Sequence, residues 1–170
     1  MLGMFLLKII KLQYFKIVLK MKTLNIALVA HDARKKELIE WAKFNAEFLA
    51  QHNLYATGTT GRLLQEMFDE LKIENKVTRL LSGPIGGDQM IGAMIAEGRV
   101  DVLVFFCDNL ITQGHQQDVG ALVRLASLHN VAFATNRTTA DMIVTSPLTT
   151  DEAYERVVPS AIQSYVERKL

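Results

Sequence analysis

Residues 101–107, DVLVFFC, are apolar from the second position to the last. A strand with one face in water alternates apolar and polar side chains, whereas a strand covered on both faces need not. The run therefore reads as a central parallel strand, with helices on both sides of its sheet. Residues 25–30, NIALVA, read the same way, and runs at 54–57, 77–81 and 131–135 supply three more strands. Between them the apolar period lengthens. Leu38, Ile39, Trp41, Ala42 and Leu49 give an apolar face to a helix over 35–52, and Leu63, Leu64, Met67 and Phe68 share a side over 60–71. Further helices are predicted at 87–97, ended by Gly98, and at 118–129, 138–144 and 159–169, the last with Pro159 in its first turn. This alternation predicts an α/β fold: one doubly wound domain with a mostly parallel five-stranded sheet flanked by helices.

Composition narrows the function classes. The chain has 170 residues, 49% of them apolar, enough for one sizeable core and too few for two comfortable ones. A net charge of +1 with no basic stripe argues against a nucleic-acid partner. The single cysteine, Cys107, excludes an internal disulfide and a cysteine-based zinc site, and it points to a reducing compartment, the cytoplasm. It reads as a small buried hydrophobe rather than a nucleophile. No His-x-x-His or Glu-x-x-His pair falls on a predicted helix face, so no metal and no other cofactor is expected.

Residues 1–20 stand apart, with four lysines and no acid. Lys8, Lys11, Lys16 and Lys20 leave no apolar run long enough for a transmembrane helix. A secretory signal lacks its basic start and its small-residue cleavage site. Two readings stay open: a basic amphipathic helix at a membrane surface, or a leader ahead of a native start at Met21. The folded domain is expected over 21–170.

Ligands of such sheets bind beyond the carboxyl ends of the strands, and there the unusual residues gather. His31 and Asp32 follow the first strand, and Thr57-Gly58-Thr59-Thr60-Gly61 follows the second. Ser82-Gly83-Pro84-Ile85-Gly86-Gly87-Asp88 follows the third. Asp108, His115 and Asp118 come after the fourth, and Thr135 and Asn136 after the fifth. A Thr/Gly turn opening a helix offers backbone N–H groups and hydroxyls to an anion, phosphate above all, and Ser82-Gly83 extends the cradle. The same turn is also good capping chemistry. Asp88, near a helix start, reads either as a dipole-favoured acid or as a general base, with His115 and the N–H groups near Gly86 and Gly87 to stabilise an enediolate. His31 and His115 share this edge; His52 and His129, at predicted helix carboxyl ends, read as structural.

In order and spacing these blocks resemble the methylglyoxal synthase family: Val29-Ala30-His31-Asp32, Leu54 to Gly61, Ser82 to Gln89, Asp108 through His115 to Asp118-Val119, and Ala134-Thr135-Asn136. The resemblance covers roughly residues 24 to 170. It implies a lyase that converts dihydroxyacetone phosphate to methylglyoxal and inorganic phosphate through an enediolate. Asp88 would be its base and His115 the contact to the carbonyl end, with His31, Asp118 and Asp108 in the same site. It assigns Lys35, Thr57, Gly58, Thr59, Thr60, Ser82 and Gly83 to the phosphate, and Arg168 to a phosphate in a neighbouring subunit. It further implies a cytoplasmic homohexamer inhibited by phosphate. Asn109, Gly114 and Gln117 depart from the family's proline-rich pattern, which predicts a more flexible loop around His115. The rival reading is a non-catalytic regulatory module that binds a small phosphorylated effector, since the fold also resembles the regulatory domain of carbamoyl-phosphate synthetase. Asp88, His115 and Asp118 together favour the enzyme. An isomerase acting on the same enediolate is a third possibility.

Overall fold

A computed structural model describes residues 21–108, 110 and 116–167. The readings of residues 1–20 lie outside the described residues, as do His115, Arg168, Asn109 and Gly114. Five strands, β1 (Asn25–Ala30), β2 (Asn53–Thr57), β3 (Thr78–Leu80), β4 (Val102–Phe106) and β5 (Ala132–Ala134), form one parallel sheet in the order β3-β2-β1-β4-β5. The direction of strand succession reverses between β1 and β4. There Val29 lies opposite Phe105 and Ala30 opposite Phe106. The described helices are α1 (Lys35–Phe44), α2 (Ala46–Leu49), α3 (Gly58–Leu71), α4 (Gly87–Ala96), α5 (Gln116–Leu128), α6 (Arg137–Thr145) and α7 (Ser160–Val166).

The pleat divides the apolar strands between two cores. Ile26, Leu28, Val104 and Phe106 pack with Leu38 and Trp41 of α1, Leu64 and Phe68 of α3 and Ala140 of α6. Ala27, Val29, Leu103 and Phe105 pack with Ile91 and Ile95 of α4 and Leu122 and Ala126 of α5. This two-sided burial is why β1 and β4 read as unbroken apolar runs. Each large side chain so buried contributes about 1.5–3 kcal/mol relative to exposure. Trp41 is fully buried, and its Nε1–H donates to Asp141 Oδ1 at 2.8 Å, tying α1 to α6.

Several boundaries move. The predicted helix over 35–52 is interrupted at Asn45, whose side-chain amide donates to Trp41 O at 3.0 Å and whose backbone leaves helical geometry at φ −101°, ψ 18°. A short polar side chain that bonds nearby backbone competes with the helix. Pro159 caps α7 rather than entering its first turn. β3 keeps three residues, two of them exposed, as suits an edge strand.

His52 does not end a helix. It sits in the turn before β2, buried, and its Nδ1 accepts the Leu24 N–H at 3.4 Å while the ring packs on Phe48. Burial holds its pKa below the ordinary 6.5, against smaller opposing effects of the Gln51 backbone and the Asp101 charge. The unfolded ring takes up a proton as pH falls through 6.5, and the buried ring resists until lower pH. The stability this residue contributes is therefore complete above 6.5 and declines below it. Urea midpoints at pH 7.5 and 5 should differ less in His52→Asn, whose Oδ1 can still accept from Leu24, than in the native chain. An equal pH dependence in both would remove His52 as the cause.

Candidate active site

Three loops at the carboxyl edge of the sheet enclose a cavity of about 220 Å³. From the end of β1 come His31, Asp32 and Lys35; from the end of β2, Thr57, Thr59 and Thr60; from the end of β3, Ser82, Gly83 and Asp88. α3 starts at Gly58, two residues earlier than predicted, so Thr57 stands at its cap position without a side-chain cap bond. The amides of Thr59 and Thr60 lie in the first turn, where a helix offers no internal acceptor. The Thr60 hydroxyl is buried, with no hydrogen-bond partner among the described residues. Unused donors on a cavity wall are what an oxyanion needs. Gly58, at φ +25°, lets this turn meet the next loop: a Cβ there would lie 2.1 Å from Ser82 Oγ, and the Gly58 N–H donates to Leu81 O.

Lys35 supplies a cation at the start of α1, where the helix dipole disfavours one. Its Nζ pairs with the Asp32 carboxylate, and its side chain is largely covered while that of Asp32 is exposed. Asp88 is opposite in character. It is 3% exposed, in the first turn of α4, where the dipole favours its charge. Gly86, at φ +110°, and the Gly87 N–H bond to Ser82 O at 2.9 Å fold the preceding loop back so that this turn faces the cavity.

His31 is set by the strand reversal. Its Nδ1 accepts the backbone N–H of Asp108 at 2.8 Å, across the gap between β1 and β4, and its ring stands edge-on to Phe105. An accepting Nδ1 makes Nε2 the donor of the neutral ring. Asp108 thus serves His31 through its amide, while its carboxylate accepts from the Leu110 N–H at 3.0 Å. Asp118 does not line this cavity. It is half-buried in the first turn of α5 and borders a separate apolar groove of about 320 Å³ between α4 and α5, which Asp88 also borders. Burial pushes the Cys107 thiol up to about 11, and it donates to Phe105 O at 3.4 Å, so it is no nucleophile.

Sequence reading missed Phe105 as a wall of the cavity, although its position opposite Val29 places it beside the end of β1. A larger cavity, about 420 Å³, lies by the amino ends of β4 and β5 and shares no residue with the site. Among the described residues there is no cluster of three or more His, Cys, Asp or Glu suited to a metal ion, and no helix long and apolar enough to cross a membrane.

Fold and site together define a doubly wound α/β protein with an oxyanion cradle and a buried carboxylate at the carboxyl edge of its sheet. An MGS-like domain matches residues 37–135. A methylglyoxal synthase of Pseudoalteromonas atlantica is 54% identical over 79% of this chain and 96% of its own. One from Maridesulfovibrio salexigens is 46% identical over 88% and 99%. The crystal structure of methylglyoxal synthase from Elizabethkingia anophelis superposes with a TM-score of 0.75 at 41% identity, over 87% of this chain and 93% of that one. The chain belongs to the methylglyoxal synthase family.

Proposed function

We propose that the chain is a carbon–oxygen lyase that converts dihydroxyacetone phosphate to methylglyoxal and inorganic phosphate. The observation that carries this reading is the buried Asp88 carboxylate on the wall of the same cavity as the Thr57–Thr60 turn. The substrate phosphate docks against Thr57, Thr59, Thr60, Ser82 and Gly83, with Gly58 shaping the turn and Lys35 supplying a positive charge. Asp88 takes a proton from the hydroxymethyl carbon, and the electron pair passes to the carbonyl oxygen to give the enediolate. Neutral His31, held by the Asp108 amide, donates toward the developing oxyanion, and His115 completes the stabilisation. The enediolate electrons then expel phosphate by cleaving the C–O bond. The enol left behind takes a proton on its methylene carbon and becomes methylglyoxal. Asp118 acts from the far side of Asp88, and Arg168 reaches a phosphate in a neighbouring subunit of a homohexamer. Free phosphate, which fits the same cradle, inhibits. The lone buried thiol supports a cytoplasmic location.

The test is an end-point assay with dihydroxyacetone phosphate that follows released phosphate and trapped methylglyoxal. Equal release of both is expected. Glyceraldehyde 3-phosphate as product would make the chain an isomerase, and binding without turnover would make it a sensor of phosphorylated effectors.

Lys35→Met should raise KM for dihydroxyacetone phosphate and the inhibition constant of phosphate together, by about 10- to 100-fold, the equivalent of one charge-assisted hydrogen bond. kcat should fall much less, because the phosphate is held in ground and transition states alike. Steady-state kinetics with phosphate as competitor checks this. A fall in kcat at constant KM would move Lys35 out of the cradle.

A further inference from the structure

We infer that Gly83, beyond its place in the phosphate cradle, positions the Asp88 carboxylate by having no side chain. The inference rests on the reading of Asp88 as the base. Gly58 and Gly86 adopt positive φ, but Gly83 does not, so its backbone conformation is open to other residues. What glycine leaves at this position is space. A Cβ on Gly83 would stand 3.1 Å from each carboxylate oxygen of Asp88 and 3.3 Å from its Cγ. Comfortable contacts between such atoms begin near 3.5 Å. The carboxylate therefore lies flat against the Gly83 α-carbon, touching it with both oxygens.

Neither backbone can retreat. The 3₁₀ turn Gly83–Ile85 is closed by the Gly86 N–H to Gly83 O bond at 3.0 Å. α4 is pinned at its first residue, where a Cβ on Gly87 would lie 2.1 Å from Leu81 O. A methyl group at 83 must be accommodated by the Asp88 side chain, which would rotate away from its seat by several tenths of an ångström. A general base works over a narrow range of heavy-atom distance, about 2.6–3.2 Å, and misplacement by 1 Å costs on the order of 100-fold.

The experiment is Gly83→Ala beside Gly120→Ala, a control in α5 whose new Cβ would meet nothing within 4 Å. The expected result for Gly83→Ala is a kcat lower by about 10- to 100-fold, with KM and phosphate inhibition changed by less than about threefold because the backbone amides of the cradle remain. The acid limb of the pH–kcat/KM profile should move to higher pH, since a methyl beside the carboxylate disfavours its charged form. A rise in KM at native kcat, or native kinetics throughout, would overturn the positioning role. A double-mutant cycle reads the same contact without turnover. Gly83→Ala should lower the melting midpoint of the native chain and leave that of Asp88→Ala unchanged. Equal losses in both backgrounds would mean that the methyl collides with something else, whether or not the chain proves to be a lyase.

Discussion

Asp88→Asn is expected to fold, to bind phosphate and to turn over dihydroxyacetone phosphate about 1,000-fold more slowly than the native chain. The substitution keeps the shape of the side chain and removes only its ability to take a proton. Position 88 is 3% exposed and sits at a helix start, so a larger change would confuse loss of chemistry with loss of packing. Phosphate binding should hold or tighten, because a negative charge facing the anion has gone. Phosphate inhibition cannot be read on a dead enzyme, so calorimetric titration with inorganic phosphate supplies the control. A variant that binds normally and keeps more than a tenth of native turnover would show that another group removes the proton. His31, on the same cavity wall, and Asp118, across the α4–α5 groove, would be examined next.

The largest effect on stability is expected from Trp41→Ala, at about 3–5 kcal/mol. Trp41 is fully exposed to its core on α1, has no contact with water, and stands edge-on to Phe106 of the central strand at 6.0 Å. Truncation removes that packing and leaves a void between α1, α6 and the sheet, which a rigid parallel sheet fills poorly. A domain of this size has about 5–15 kcal/mol in all, so the melting midpoint should fall by about 10 °C. Trp41→Phe separates the two contributions. It keeps most of the volume and loses the hydrogen bond to Asp141, whose half-exposed carboxylate water can satisfy. A cost of about 1 kcal/mol is expected. Equal losses for the two variants in urea denaturation would place the stabilising effect in the α1–α6 hydrogen bond rather than in packing.

All five strands were legible because burial leaves a plain mark on composition, and β1 and β4 could hardly read otherwise. The strand order was not, since apolar runs say that strands are covered and not which neighbours they take. The break at Asn45 was hidden because Ala46 and Leu49, both buried, continue the apolar face past it. Among site residues, the glycine and threonine turns were visible as local chemistry, and the cavity brings together those from three strand ends with His31 and Asp88. Asp108 shows the limit. Its side chain invited a reading as one more active-site acid, whereas the bond it makes to His31 comes from its backbone N–H, which every residue but proline carries. Asp118 was placed at the right edge, but only the packing of α4 on α5 puts it on the far side of Asp88.

The bond between His31 and Asp108 joins residues 77 apart in sequence, across a parallel strand pair that closes late in a folding chain. The cradle and Asp88 come from β1, β2, β3 and the turns that follow them, a continuous stretch that can assemble before β4 arrives. Capture of an anion and orientation of the imidazole are therefore acquired at different moments of folding. A nascent chain halted before β4 would already possess the elements of a phosphate grip and would lack the strand that aims its histidine.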